Sequence, residues 1–235
     1  LNTSPTHAHH RYVINFGQMT ESEARRWPDL MEIVERKVRP ERLAQNRAIR
    51  ARYWWRFGET TPAMSLALNG LPRALALSRV TQHLGFAWVP ANAVLSERLA
   101  VFADHRDSFL AVLQSRVHER WALFFGALHG DRPSYSPENG FETFPFPPAW
   151  ERNTALETTG KVYDAYRGAL MVRTGEGLTK TYNRFHDPDE TSPDILRLRR
   201  LHEAMDRAVL DAYGWTDLRP TCEFLLDYED GDDEA

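Results

Sequence analysis

The sequence contains few of the residues on which several classes of protein depend. It has one cysteine, Cys222, which excludes a disulfide framework and a cysteine-based zinc site and is typical of a reducing compartment. No uninterrupted apolar run approaches the roughly 18 residues that a membrane-spanning helix needs. The 42% of hydrophobic residues in a chain of 235 nevertheless suffices for a packed core. We therefore expect a soluble cytoplasmic protein without a membrane partner.

Motifs for catalysis are absent as well. The sequence contains no G-x-G-x-x-G, Walker, G-x-S-x-G or H-E-x-x-H pattern. His186, Asp187, Asp189 and Glu190 place four candidate metal ligands within five residues, but a turn followed by acidic residues near a helix N-terminus accounts for them better. A hydrolase built on His186 and Asp187 is therefore a remote alternative. We expect neither a catalytic residue nor a bound metal in this chain.

Lysine is rare, and positive charge is concentrated in one segment. The net charge of −4 combines residues 1–150, with 18 basic and 14 acidic side chains, and residues 151–235, with 11 basic and 19 acidic ones. Residues 36–56, termed here the basic stretch, have eight basic side chains against one acidic residue, Glu41. Such asymmetry is typical of a surface that binds a polyanion. A solvated helix face with ion pairs to Glu32 and Glu35 is the competing interpretation.

The spacing of apolar residues predicts strands and helices mixed along the first part of the chain. A strand is predicted over 11–17, and Thr20 with Glu23 predicts the capping box of the following helix. A second helix carries Arg47 and Arg50, and strand periodicity returns from Tyr53 to Phe57. A short helix before Gly70 is followed by predicted strands over 73–80, 84–89 and 94–102 and a long helix over 105–125.

The rest of the chain predicts mainly helices. Prolines within residues 141–148 favour an edge strand or an extended crossing. One helix ends at Gly175, a polar loop extends to Glu190, and a long helix begins at Ser192 and ends at Gly214. The predicted fold class is therefore α+β, with a mixed domain of strands and helices followed by a small helical domain.

Six segments of the sequence match one protein family in order. They are RYVINFG (11–17), YWWRFGE (53–59), VLQSRVHERWA (112–122), YSPENGFETFPFP (135–147), EGLTKTYNRFHDP (176–188) and DAYGW (211–215). Together they resemble the C-terminal region of the MmeI-like enzymes, which are type IIL restriction-modification proteins and related defence methyltransferases.

The resemblance implies a target recognition domain over residues 1–148 that binds double-stranded DNA. It also implies a helical C-terminal domain with an acidic tail over residues 149–235. By the same resemblance, the chain is the C-terminal piece of a longer bacterial protein of phage defence, whose core is an adenine-N6 methyltransferase with or without a nuclease. S-adenosylmethionine, with Mg²⁺ as a further candidate, belongs to that parent enzyme, and we expect this chain to bind no cofactor itself.

The resemblance also suggests site residues, because the related enzymes carry specificity positions in the loop before the FETF segment and in a strand before the preceding helix. Residue types suited to base edges in that loop and strand predict base readout by Arg98, Asp131, Arg132 and Ser134. Contacts to the DNA backbone are predicted for Arg47, Arg50, Arg56 and Arg79. Docking onto the methyltransferase core, from a polar loop, is predicted for Lys180, Tyr182, Asn183, Arg184 and His186.

Two alternatives stay open at this point. Gln114 and His118, one helical turn apart, either contact a DNA phosphate or are buried and hydrogen-bonded. The chain as a whole is either a sequence-specific recognition module or a scaffold that joins subunits of a defence complex without reading bases.

Overall fold

A computed structural model describes residues 1–9, 11–58, 61–129 and 132–219, with the backbone alone for residues 127–129 and 132. The chain divides into two compact units. The smaller unit is His9–Asn69, and the larger combines Leu1–Ala8 with Gly70–Ala235. Residue 148, where the sequence predicts a domain boundary, lies within the larger unit. The boundary itself stays a prediction.

The smaller unit consists of short helices. They are α1 (Glu21–Ala24), α2 (Pro28–Lys37), α3 (Arg39–Leu43), α4 (Ala48–Arg52) and α5 (Pro62–Leu68). The predicted capping box is confirmed, because the Glu23 N–H donates to the Thr20 hydroxyl and the Thr20 N–H donates to the Glu23 carboxylate at 2.7 Å. A proline occupies the first turn of α2, α3 and α5, where its missing N–H would have no intrahelical partner.

Both strands predicted in the smaller unit are wrong. Residues 11–17 form no strand in the described part of the chain, and Tyr12 is 90% exposed while Phe16 is buried. Residues 53–55 form a turn after α4 in which Trp54 and Trp55 are both buried. Adjacent buried side chains contradict the alternation that a strand requires. The core of this unit, which also contains Met31 and Val34, takes both indoles from the turn.

The larger unit contains a three-stranded antiparallel sheet in the order β2-β1-β3. Its strands are β1 (Arg73–Ser78), β2 (Ala87–Pro90) and β3 (Leu99–Phe102). Ala76 pairs with Ala87 of β2 and with Val101 of β3. The central strand β1 is buried from Ala74 to Leu77, which explains its continuous apolar run. The three predicted strands are therefore confirmed, each over a shorter length.

The long helix predicted over 105–125 is two helices, α6 (Asp107–Gln114) and α7 (Arg116–Phe125). The buried Ser115 between them has an extended backbone, and its hydroxyl accepts from the His118 N–H as the N-cap of α7. A hairpin of β4 (Ala127–His129) and β5 (Arg132–Ser134) follows α7. Residues 142–148, all of them described, form no strand, so an edge strand there is wrong.

A short π-helix (Pro137–Phe141) and a 3₁₀ helix (Trp150–Arg152) come next, and the remaining α-helices are α8 (Thr154–Thr174), α9 (Leu178–Phe185) and α10 (Pro193–Tyr213). Gly175 and Gly214 follow α8 and α10 with φ of 67° and 79°, the left-handed conformation in which glycine ends helices. α8 packs against α6 and α10. The α+β class is thereby confirmed. None of the helices in the described ranges is long and apolar enough to cross a membrane.

Candidate nucleic-acid interface

One end of the sheet brings together three of the predicted site residues. The Arg79 N–H donates to the Arg98 carbonyl at 2.8 Å, which continues the pairing of β1 with β3. The Tyr135 N–H donates to the Arg79 carbonyl at 2.7 Å, and Val80 forms an antiparallel bridge with Ser134. Arg79, Arg98 and Ser134 therefore lie on three neighbouring chain segments, termed here the sheet-end cluster.

The arginines of the sheet-end cluster are exposed, and Ser134 is half-buried. Arg79 Nε donates to the Leu99 carbonyl at 3.4 Å, while the Arg98 N–H donates to the Ser96 hydroxyl at 3.3 Å and so supports the turn before β3. Neither guanidinium forms an ion pair with a carboxylate of the described residues. Two guanidinium groups without a carboxylate partner in the described part of the chain are suited to bind phosphates or guanine edges.

The β4–β5 hairpin leads directly into the sheet-end cluster. Its register pairs His129 with Arg132, and the Thr81 N–H donates to the Pro133 carbonyl at 3.3 Å. The hairpin backbone is thereby attached to the segment that follows β1. Arg132 lies in β5 two residues before Ser134, whereas its side chain and the whole of Asp131 are outside the described residues.

The basic stretch lies in the smaller unit and divides into paired and unpaired side chains. Arg36 lies 3.9 Å from Glu32, and Arg39 forms an ion pair with Glu35. The interpretation as a solvated helix face therefore holds for these two arginines. Arg47, at the start of α4, is exposed and forms no ion pair with a described residue.

Arg56 is engaged within the smaller unit. Its Nε donates to the Met19 carbonyl at 2.9 Å, and its guanidinium carbon lies 4.7 Å from the centre of the Tyr53 ring. The same carbonyl accepts from the Trp55 indole at 2.9 Å. Arg56 therefore holds the turn after α4 against the segment before α1. Its contact with a DNA phosphate stays a prediction.

Sequence reasoning did not select Arg42 as a contact, although Arg42 belongs to the basic stretch. An ideal Cβ built on Gly58 would lie 3.1 Å from Arg42 Nη1 and 2.9 Å from Arg50 Nε. Arg50, a predicted contact to the DNA backbone, and Arg42, which was not predicted, therefore both approach Gly58. The one signal in the sequence that could have indicated this contact is Gly58, because a residue without a side chain lets other side chains approach its backbone closely.

The docking residues were predicted to lie in a polar loop that extends to Glu190. That prediction is wrong for residues 178–185, which form the helix α9. In α9 the residues Leu178, Thr181, Tyr182 and Phe185 are buried, and their spacing of three, one and three residues marks one helical face. This periodicity could have predicted α9. Lys180 and Asn183 are exposed, and Asn183 Oδ1 lies 2.7 Å from His83 Nε2. Docking by these two residues stays a prediction.

Tyr182 and Arg184, two other predicted docking residues, are bound within the larger unit. The Tyr182 hydroxyl accepts from Arg167 Nη1 at 2.8 Å and lies 2.8 Å from the Tyr163 hydroxyl. Arg184 forms ion pairs with Glu176 at 3.1 Å and Glu190 at 2.7 Å. Both side chains therefore stabilise the packing of α9.

His186 stacks on His83, with ring centres 4.7 Å apart. Burial and, to a smaller extent, the neighbouring His83 lower the pKa of His186 to about 3. The imidazole is therefore neutral at physiological pH, which removes an attraction to phosphate.

The acidic residues after His186 form a turn, as the simpler interpretation predicts. Asp187 Oδ1 accepts from the Asp189 N–H at 3.0 Å, and Glu190 Oε1 accepts from the Ser192 N–H at 2.9 Å. The hydrogen bonds of Glu190 with Arg184 and Ser192 lower the pKa of its carboxyl group to about 2. The described residues contain no group of three or more His, Cys, Asp or Glu side chains that could hold a metal ion.

Gln114 and His118 are buried and hydrogen-bonded, which decides the alternative left open by the sequence. Gln114 Oε1 accepts from the Phe86 N–H at 3.0 Å, and its Nε2 donates to the Leu84 carbonyl at 2.9 Å. His118 Nδ1 lies 2.8 Å from the Leu113 carbonyl oxygen. Neither side chain reaches the surface.

Comparison with known families adds to this geometry. Residues 4–148 match a family described as "MmeI, target recognition domain", which is more than half of the chain. The chain belongs to the MmeI target recognition domain family. The sheet-end cluster, the hairpin and the basic stretch all lie within the matched residues. The match confirms the resemblance for the four segments that lie within residues 4–148.

The fold is also similar to a solved structure. That structure is the type IIL restriction-modification enzyme MmeI in complex with DNA, with a TM-score of 0.59 and 20% sequence identity. The similarity covers 86% of this chain and 26% of the solved one, so this chain spans about a quarter of the enzyme's length. No curated protein sequence matches the chain.

Proposed function

We propose that this chain is the module that recognises a DNA sequence for a bacterial restriction-modification enzyme. Its membership of the MmeI target recognition domain family supports this function. The observation that carries the proposal is the sheet-end cluster, where Arg79 and Arg98 of adjacent strands expose guanidinium groups without carboxylate partners among the described residues. Arginine donors on a rigid sheet end are suited to contact a duplex.

The proposal assigns two kinds of DNA contact, to base edges and to backbone phosphates. Arg98, Asp131, Arg132 and Ser134 read base edges. Arg47, Arg50, Arg56 and Arg79 contact phosphates, which hold the register of the protein on the duplex without selecting a sequence. The arrangement of Arg79 beside Arg98 supports a continuous surface in which one arginine anchors and the other reads.

The chemistry of modification belongs to the parent protein in this proposal. There an adenine-N6 methyltransferase core uses S-adenosylmethionine, and a nuclease, where one is present, uses Mg²⁺. Lys180 and Asn183 of α9 contact that core. The enzyme acts in the bacterial cytoplasm, where it protects the cell against phage DNA.

The proposal is tested by selecting duplexes from a randomised library with the 235-residue chain. We expect one sequence motif to be enriched, and Arg98→Ala or Arg132→Ala to relax a single position of that motif by about 1–3 kcal/mol per base pair. Arg47→Gln, in contrast, should weaken binding to all duplexes alike. Binding that responds to salt but enriches no motif would favour the scaffold interpretation and contradict the proposal.

A further inference from the structure

Arg42 of α3 and Arg50 of α4 converge on the backbone of Gly58 in the smaller unit. Their nearest nitrogens lie 3.1 Å and 2.9 Å from the point that a Cβ of Gly58 would occupy. Because both distances are measured from one point, the two nitrogens are no more than about 6 Å apart, the sum of the distances. Two cationic side chains from different helices therefore share one small volume above a glycine.

No negative charge among the described residues compensates this pair. Arg50 Nη1 donates to the amide oxygen of Gln45 at 3.4 Å, which is a neutral acceptor. Neither Arg42 nor Arg50 forms an ion pair with a described carboxylate. By contrast, Arg36 and Arg39 of the same stretch are paired with Glu32 and Glu35. Two neighbouring guanidinium groups repel each other, and an anion between them would be attracted by both.

Gly58 keeps this volume accessible from the backbone side. A methyl group at residue 58 would approach Arg50 Nε to 2.9 Å, which is closer than nonbonded atoms allow. The atoms that it would meet belong to the ends of flexible side chains. A substitution at residue 58 would therefore displace the guanidinium groups rather than the loop. Glycine is required here for the position of the two arginines.

We propose that Arg42 and Arg50 form a phosphate-binding site, with Gly58 as its floor, that clamps one backbone phosphate of duplex DNA. The planar guanidinium group matches the spacing of phosphate oxygens and forms charge-assisted hydrogen bonds with them. This inference rests on the proposed function. It adds Arg42 to the residues that hold the DNA and gives Arg50 a partner.

The site is tested by titrating a labelled random-sequence duplex with the 235-residue chain at several salt concentrations. We expect Arg42→Gln and Arg50→Gln each to weaken binding about tenfold at physiological salt. Each should also lower the slope of log affinity against log salt concentration by about one unit. Arg36→Gln is the matched control, because it removes the same charge from a side chain that already faces Glu32, and it should change both quantities much less.

Gly58→Ala tests the geometry without changing the charge. We expect it to weaken binding because the added methyl group separates the guanidinium groups from the shared volume. Its circular dichroism spectrum should match that of the unmodified chain. If Gly58→Ala binds as tightly as the unmodified chain, or if Arg42→Gln behaves like Arg36→Gln, the clamp is wrong while the proposed function stands. If the unmodified chain binds no duplex, the proposed function itself fails.

Discussion

Arg167, a buried residue of α8, links three parts of the larger unit. Its Nη1 donates to Gln114 Oε1 at 3.2 Å and to the Tyr182 hydroxyl at 2.8 Å, and its Nη2 donates to the Phe86 carbonyl at 2.7 Å. Asp164 forms an ion pair with it at 2.8 Å. A buried cation is tolerated when its donors are satisfied in this way. Helices α6, α8 and α9 are therefore joined by one guanidinium group.

Removing the guanidinium group of Arg167 should destabilise the fold. We expect Arg167→Met to lower the free energy of unfolding by about 3–5 kcal/mol, because the acceptors around it would stay buried without a donor. Arg167→Lys should be nearly as destabilising, since an ammonium group lacks the planar set of N–H donors that a guanidinium group has. Urea denaturation measures both variants. Arg200→Lys on the exposed face of α10 is the control and should change stability by less than about 0.5 kcal/mol. A similarly small effect of Arg167→Met would contradict this account.

His118 gives the larger unit a dependence on pH. Its Nδ1 lies 2.8 Å from the Leu113 carbonyl oxygen, and the Tyr135 hydroxyl lies 3.2 Å from its Nε2. If Nδ1–H donates and Nε2 accepts from the hydroxyl, the neutral ring satisfies these two contacts, and the Gly140 carbonyl oxygen, 3.2 Å from Nε2, receives no donor from the ring. Burial lowers the pKa of His118 from 6.5 to about 4. Between these values the unfolded chain binds more protons than the folded one.

Stability should therefore fall as the pH drops. We expect the contribution of His118 to be intact above about pH 6.5 and to be lost as the pH falls to about 4, with a total near 3 kcal/mol. The His118 ring resonance should show no titration from pH 8 to pH 5 in nuclear magnetic resonance spectra. A midpoint near 6.5 in the folded protein would disprove the lowered pKa.

At the scale of the element, the packing of α8 on α6 depends on Gly160. A Cβ at Gly160 would lie 2.1 Å from the Asp107 carbonyl oxygen and 3.1 Å from the Ala111 Cβ. The first contact is with backbone and cannot be relieved by a side-chain rotation. The two helices approach closely because residue 160 has no side chain.

Replacing each of two glycines of α8 by alanine should therefore change the free energy of unfolding in opposite directions. We expect Gly160→Ala to lower the free energy of unfolding by about 1–3 kcal/mol, because α8 must move away from α6. Gly168→Ala is the matched change in the same helix, where nothing lies within 4 Å of the added carbon. It should raise the free energy of unfolding by up to about 1 kcal/mol through its effect on helix propensity. Thermal unfolding of the two variants compares them directly, and equal shifts would show that the close contact is not needed.

The sequence predicts the ends of several helices correctly. Thr20 with Glu23, Pro193 and Gly214 were correctly read as helix ends, because a cap depends on a few neighbouring residues. The turn that holds Trp54 and Trp55 was mistaken for a strand, since aromatic alternation does not reveal that the backbone reverses. Ser115 was missed as a break because its cap requires burial between α6 and α7.

The same distinction holds for the candidate site. The resemblance implies specificity positions in a strand and in the loop before the FETF segment, and residue types there predicted Arg98 and Ser134. The structure places both residues beside Arg79 through backbone pairing that no local pattern contains. The meeting of Arg42 with Arg50 at Gly58 was not predicted, because it depends on how two short helices pack. Long-range pairing and packing are therefore what the sequence alone did not provide.

At the scale of the whole molecule, one core crosses the sequence-predicted boundary at residue 148. Every residue of α6 is buried. Ala111 and Val112 of α6 share a hydrophobic cluster with Leu156 and Tyr163 of α8. The Ser108 N–H donates to the Glu157 carboxylate at 2.7 Å, and the Arg116 N–H donates to Asp206 at 2.9 Å. The sheet and α6 therefore depend on helices that follow the family match.

This continuity predicts the behaviour of fragments. In a fragment of residues 1–148, we expect the part that belongs to the larger unit to be unfolded. Without α8 and α10, the apolar face of α6 would be exposed to water. Binding of a hydrophobic dye and the loss of a cooperative thermal transition would report this state. Adding a fragment of residues 149–235 should restore the transition, since the two pieces together contain the complete core. If residues 1–148 alone give a cooperative transition and a dispersed amide spectrum, the boundary at 148 separates independent domains, and the shared core contributes less than its burial indicates.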